Sequence, residues 1–304
     1  MPGGDKMGRA DLHNHTKYSG LSKVLFIKLP DSICEPADLV KAADAKGLDV
    51  LCVTDHNTVR GGLEASKAPG RAEIVVGEEV GTSDGEVMGL FLTEDIRPGM
   101  SAAETIDTIH GMGGVAIAPH PFSAHCSALG SKIFDLKLDG IEVFNSFHRD
   151  GYSNDIANRL CRGCGKALTG GSDSHAPSMV GNAYTSFDGT TAEDLRKAIL
   201  AGKTDFGGRY TPLKDLIWME TTVALRLQHI ISRSLTNGAN DEDTIYAREV
   251  YDMRTISKVL SFLGIMAFLA PPATILAGVV GDRLHRSRSK ALWTKVCQAN
   301  GWKA

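Results

Sequence analysis

The chain has 304 residues, enough for one large α/β domain of roughly 200 to 250 residues with an appendage, or for two ordinary domains. Its 42% apolar and 23% charged residues are those of a globular protein, and a formal net charge of −3 excludes a global pull toward nucleic acid or anionic membrane. Six cysteines at irregular spacing exclude a disulfide framework and imply a reducing, cytoplasmic interior.

No apolar stretch follows the first charges, so no cleaved signal peptide is expected. The first informative run is "ADLHNHTKYSG", residues 10 to 20. In an extended segment Asp11, His13 and His15 share one face, an arrangement that looks like part of a metal site. "EPADLVKAADAKG" follows, with Pro36 where a first helical turn tolerates it and Gly47 where a helix ends, and it feeds the buried strand "DVLCVT", which closes on Asp55 and His56. Extended runs "EIVVG" and "EVMGLFL" come next, the first ending in Glu78 and Glu79. "SAAETIDTIHGMGG" opens with Ser101 and Glu104 at capping-box spacing and leads into "VAIAP" and His120. "GIEVFN" is a further strand, and Cys161 and Cys164 read as plain thiols at a helix end, since a zinc site would need a second pair. "KALTGG" then ends in Asp173 and His175, and Thr190 with Glu193 repeats the capping spacing.

Strands alternating with helices predict a parallel sheet, open or closed into a barrel, to about residue 214. Residues 215–304 show helical spacing only. Within them the uncharged run 259–281 is long enough to span a bilayer, but Pro271 and Pro272 break it near its middle, with basic residues on both sides. An interfacial or buried helical hairpin is the preferred expectation over a crossing, so membrane association stays open.

His, Asp and Glu recur at strand ends in unit after unit, and the carboxyl ends of strands form the ligand crevice in such folds. Imidazole with carboxylate suits zinc, manganese or iron(II). Taken in order, "DLHNH", "TDHNT", "GEE", "APHP" and "GSDSH" resemble the PHP family, the polymerase and histidinol phosphatase domain. The resemblance implies a distorted (β/α)7 barrel with a helical C-terminal appendage and two or three divalent ions (Mn, Zn or Fe). It implies His13, His15, Glu79 and Asp173 around a first ion, Glu79 shared with a second that also takes His120, and His56 with His175 on a third. Asp11 and Asp55 would orient ring nitrogens. Two departures stand out: Glu86 where many members carry histidine, and Gly20 and Leu21 where many carry Asp or His.

The implied activity is metal-dependent hydrolysis of phosphate esters by metal-activated water, with Asp173, His120 and His175 as catalytic groups and His120 or His175 protonating the leaving oxygen. Lys17, Arg60, Arg149 and Arg209 are candidates to grip phosphate. Nucleotides or short single-stranded oligonucleotides are the expected substrates, cleaved in the manner of a 5′–3′ exonuclease or nucleotide phosphatase. The alternatives are a metabolite phosphatase of the histidinol phosphate kind and a non-catalytic, metal-stabilised regulatory or membrane module. Oligomeric state is left open.

Overall fold

A computed structural model describes residues 7–24, 27–236, 238–240, 242–270 and 272–301. The chain begins with β1 (Met7–Asp11), then a separate hairpin of β2 (Leu21–Val24) and β3 (Ile27–Pro30). Next come α1 (Pro36–Lys46), β4 (Val50–Val53), α2 (Arg60–Ala65), β5 (Glu73–Gly81), β6 (Glu86–Leu90), α3 (Ala102–Gly111) and β7 (Val115–Ala118). β8 (Gly140–Asn145), α4 (Ser153–Cys161), β9 (Ala167–Gly171), β10 (Ala183–Asp188), α5 (Ala192–Leu200) and β11 (Asp205–Gly208) complete the first part.

One sheet runs in the order β11-β10-β1-β4-β5-β6-β7-β8-β9. It curls nearly closed: Thr185 Oγ1 on β10 accepts from Gly170 N and donates to Gly170 O on β9, both at 2.9 Å. β1, β4 and β5 are parallel, as are β7, β8 and β9. β6 lies antiparallel between β5 and β7, and β10 runs against β1, so the distortion of the barrel consists of these two reversed strands. β4 and β7 are buried along their whole length, as parallel strands covered on both faces must be.

Local signals set the helix ends. Gly47 takes the left-handed conformation that stops α1, and Ser101 with Glu104 closes a capping box on α3. On α5 the box uses Thr191 and Asp194, one residue later than the expected Thr190 and Glu193, because "TTAED" fits the spacing in either register and the helix starts at Ala192. Cys161 ends α4, and both it and Cys164 are free thiols.

Behind the loops around the first histidines, Asp55 accepts from Thr16 N and Thr16 Oγ1 at 2.5 and 2.6 Å. Gly61 of α2 packs so tightly there that an added Cβ would lie 1.8 Å from Asp55 Oδ2 and 2.3 Å from Thr16 Oγ1. Gly61→Ala is expected to separate this buried pair and cost about 3 kcal/mol, read as a lower urea midpoint at unchanged slope. An unchanged midpoint would show that α2 shifts without strain.

The last part is helical: α6 (Leu213–Leu235), α7 (Ile245–Asp252), α8 (Thr255–Leu269) and α9 (Ala273–Asn300). Leu227, Ile231, Tyr246 and Ile265 form its own core, while Trp293 and Cys297 of α9 join the barrel core beside α4. Among the described residues no single helix is long and apolar enough to cross a membrane. α8 and α9 meet at 84°, an elbow in place of the expected hairpin, with Pro272 at the start of α9; Pro271 lies outside the described residues.

Candidate metal centre

The carboxyl ends of the strands converge on Glu79. Short parallel bridges pair Asn14 with Ser174 and His56 with Glu79 of β5, and so set the loops after β1 and β9 side by side and the loop after β4 against β5. Three ring nitrogens crowd Glu79 Oε2: His56 Nδ1 at 3.2 Å, His13 Nε2 at 3.3 Å and His15 Nε2 at 3.5 Å. His120 Nε2 meets the other oxygen, Oε1, at 2.9 Å, and Glu86 Oε2 lies 3.9 Å from that same nitrogen. Asp173 Oδ1 faces His15 Nε2 at 3.2 Å and His13 Nε2 at 3.6 Å. A third group gathers beside them, with Asp31 Oδ2 at 3.1 Å from His175 Nε2 and 3.9 Å from His56 Nε2.

The surrounding residues hold these rings in place. Glu142 of β8 accepts at Oε1 from His13 Nδ1 (3.2 Å) and at Oε2 from the backbone N–H of His120 (2.8 Å). Asn145 Nδ2 donates to both Glu142 Oε2 and Asp173 Oδ2. Ser19 Oγ sits 2.9 Å from His15 Nδ1, and the Asp173 carbonyl accepts from His175 Nδ1 at 2.9 Å, which leaves Nε2 of each ring directed at the centre. His120 and Asp173 adopt positive φ, 28° and 52°, a strained backbone for residues other than glycine that the bonds to Glu142 and Asn145 help to maintain. Glu142→Gln is expected to weaken metal binding roughly 10- to 100-fold in competition with a chelator, and an unchanged affinity would remove Glu142 from this role.

The charges are those of a cation site. Burial opposes ionisation of Glu79 and Asp173, yet the facing histidines hold both well below the usual carboxylate range. Burial likewise opposes the charge on His120 and His175. The bond to Glu79 in one case and the charge of Asp31 in the other outweigh it, and both rings are pushed up to about 9. Burial and the neighbouring His175 charge push His15 down to about 4, while burial and the Glu79 charge raise Glu86 to about 7. Three imidazoles on one carboxylate oxygen exceed its two lone pairs, and His120 Nδ1 and Glu86 Oε2 are buried without a hydrogen-bond partner. Such a donor set fits divalent metal ions.

Comparison with known proteins agrees. The PHP domain profile matches residues 11–102, and the PHP-associated profile matches residues 151–204. An uncharacterised protein of Methanocaldococcus jannaschii is 55% identical over 151 residues, which are 49% of this chain and 88% of that protein. The chain belongs to the PHP-domain family. Membership places it among metal-dependent phosphoesterases, a class of hydrolases. Two solved structures share the fold. One is a two-domain protein of Bacteroides vulgatus containing a predicted PHP-like metal-dependent phosphoesterase, with a TM-score of 0.53, 17% identity, and coverage of 67% of this chain and 65% of that one, just under two thirds. The other is PsfC of Pseudomonas syringae, with a TM-score of 0.52, 18% identity, and coverage of 71% of this chain and 99% of that one.

Against the PHP pattern, the structure brings together His13, His15, His56, Glu79, Glu86, His120, Asp173 and His175. Asp11 and Asp55 depart from the expected contact with ring nitrogens. Asp11 instead accepts from the backbone N–H groups of His13, Ser172 and Gly181, and Asp55 from the amide and hydroxyl of Thr16, so these donors take the carboxylate oxygens. The orienting carboxylate is Glu142, whose signal in the sequence was a lone acid inside the buried run "GIEVFN". The gap at Gly20 and Leu21 is filled by Asp31, since the β2–β3 hairpin lengthens the loop and carries the acid to its far end.

The cations are placed differently. Lys17 pairs with Glu35 at 2.7 Å, and Arg60 lies over the Tyr18 ring and pairs with Asp243. Arg149 donates to the Thr211 carbonyl and to Asp282 of α9, at the seam with the helical part. Arg209 is exposed just after β11.

Proposed function

We propose that the protein hydrolyses phosphate esters of nucleotides or short single-stranded oligonucleotides at the Glu79 centre. The convergence of imidazoles and carboxylates on Glu79 carries this reading, because a phosphoryl group needs several positive charges held at fixed positions. His13, His15, Glu79 and Asp173 would hold one ion, Glu79, His120 and Glu86 a second, and Asp31, His56 and His175 a third. When bound, such ions polarise phosphoryl oxygens and lower the pKa of water. Glu142, Asn145 and Ser19 keep the ligand rings aimed at fixed positions.

The rim supports the nucleotide class. Tyr18 and Phe147 are half-buried aromatics beside the centre, the Phe147 ring lying 5.3 Å from the His175 ring, and flat faces of this kind stack on bases whatever their sequence. Arg60 sits 4.3 Å above the Tyr18 ring, next to Lys17. Their present partners are exposed, so each ion pair is worth only about 0 to 1 kcal/mol and yields readily to a phosphate.

The test is product analysis with the full chain loaded with manganese or zinc and a 5′-phosphorylated, 3′-labelled oligonucleotide, beside a His13→Ala control. Successive release of 5′-mononucleotides, lost in the control, establishes an exonuclease. Release of inorganic phosphate from the oligonucleotide or from nucleotides establishes a monoesterase of the same substrate class. Hydrolysis confined to small phosphorylated metabolites overturns the nucleotide reading.

A further inference from the structure

The loop after β7 brings Cys126 against His148, which follows β8, with Cys126 Sγ 3.9 Å from His148 Nε2. One donor atom each from His120, Cys126 and His148 lies within 4.8 Å of the other two. His120 and His148 are 5% and 3% exposed, and Nδ1 of each ring is buried with no hydrogen-bonding partner. His120 Nε2 is taken by Glu79, so Nδ1 is the ring's remaining donor. None of the ligand sets around Glu79 uses Cys126 or His148.

We propose that His120 Nδ1, Cys126 and His148 form a further site for one zinc-class ion, joined to the Glu79 centre through the His120 ring. A thiolate with two imidazoles is a softer donor set than the carboxylate-rich centre beside it, and it selects zinc over manganese or magnesium. On binding, the Cys126 thiol gives up its proton to solvent and its sulfur becomes the ligand; where His120 Nε2 also holds an ion of the Glu79 centre, the ring releases its remaining N–H proton to solvent and bridges as an imidazolate. Three protein donors leave a fourth position of a tetrahedral ion open. Cys126 belongs to an exposed stretch of the loop, which gives the ion a path from solvent, while its sulfur is part-buried against His148 and its thiol is held well above the usual range by burial and by Asp173, Glu86 and Glu79, so the charge of the ion itself has to displace the proton. Next to the site, His125 stacks on His285 of α9 at 3.9 Å between ring centroids, so the ion would lie where the helical part rests on the barrel. This inference rests on the Glu79 reading only through the shared His120.

The experiment loads the full chain with cobalt(II) for spectroscopy and with zinc for ion counting, in the wild type and in Cys126→Ser, His148→Ala and Glu79→Gln. The expected result is a near-ultraviolet thiolate-to-cobalt band in the wild type that Cys126→Ser abolishes, with one fewer zinc per chain in both Cys126→Ser and His148→Ala. Cys126→Ser changes one atom at an exposed residue, so its band and ion count stand even if His148→Ala fails to fold. Glu79→Gln is expected to lose ions from the main centre and keep the band. A wild-type protein without the band, or an ion count unchanged in Cys126→Ser, overturns the proposal. If the band is absent while Glu79→Gln still loses ions, the new site falls and the Glu79 centre stands. If neither variant changes the ion count, both fall.

Discussion

Glu79→Gln is expected to lower phosphate-ester hydrolysis on the order of a thousandfold and to reduce the number of bound ions. The substitution keeps shape and removes one charge. In the native site Oε2 faces three imidazole nitrogens and Oε1 a fourth, so all four rings lose their common anion. A glutamine would present an amide donor to rings that also donate or bind metal, and one of the bridging positions between ions would lose its affinity. Loss of a single preorganised electrostatic group in an active site costs about 10²- to 10³-fold, and a carboxylate in the proposed bridging place between two ions should sit at or above the top of that range. The measurement is kcat/KM with saturating metal, together with ion content after desalting. Activity within tenfold of wild type would remove Glu79 from the bridge. Glu78→Gln is the internal control. Glu78 is also buried on β5 but points to the other face, where it accepts from Ile96 N at 2.9 Å, and its replacement should leave ion content unchanged.

That neighbouring pair shows what was legible in the sequence. Apolar runs ending in His, Asp or Glu announced both the parallel strands and the site, because a strand buried on both faces shows as an uninterrupted apolar run while its polar end has to face a crevice. β10 is not marked by an apolar run: the buried face of "AYTSFD" is Ala183, Thr185 and Phe187, with Thr185 reaching Gly170 of β9 to bring the barrel nearly closed while the strand runs against β1. Asp31 was hidden by distance, since the β2–β3 hairpin separates it from the histidines it joins. Asp11 and Asp55 differ from the expectation because adjacency to a histidine in sequence does not fix which way a carboxylate turns, and here backbone amides take Asp11 while the Thr16 amide and hydroxyl take Asp55. The elbow between α8 and α9 was not legible either, as the proline pair marks a break but sets no angle. It leaves Leu260, Leu263, Leu276 and Leu284 between 56% and 62% exposed, a face left uncovered among the described residues.

Metal binding is expected to strengthen steeply with pH between 7 and 9. In the metal-free protein His120 and His175 titrate near 9, and His13 is held well above the usual histidine range, so these rings carry protons at pH 7. An ion needs the neutral imidazole and must displace those protons. His120 and His175 serve different ions, so each ion that displaces one such proton gains about tenfold in affinity per pH unit until the pKa of its ring is reached. His15, pushed down to about 4, is already neutral and adds nothing to the slope. Stability of the metal-free protein runs the opposite way. A histidine whose folded pKa lies above its unfolded value of about 6.5 contributes stability that is complete below that pH and lost as pH rises through about 9. Each of these two shifts corresponds to about 3 kcal/mol. Metal-free Tm should therefore fall between pH 6.5 and 9 while the gain in Tm on adding zinc or manganese grows over the same window. Thermal scans at fixed ion concentration, with and without metal, measure both trends. An affinity that stays flat from pH 7 to 9 would mean that the rings facing Glu79 and Asp31 are already neutral, and the charge distribution assigned to the centre would be wrong.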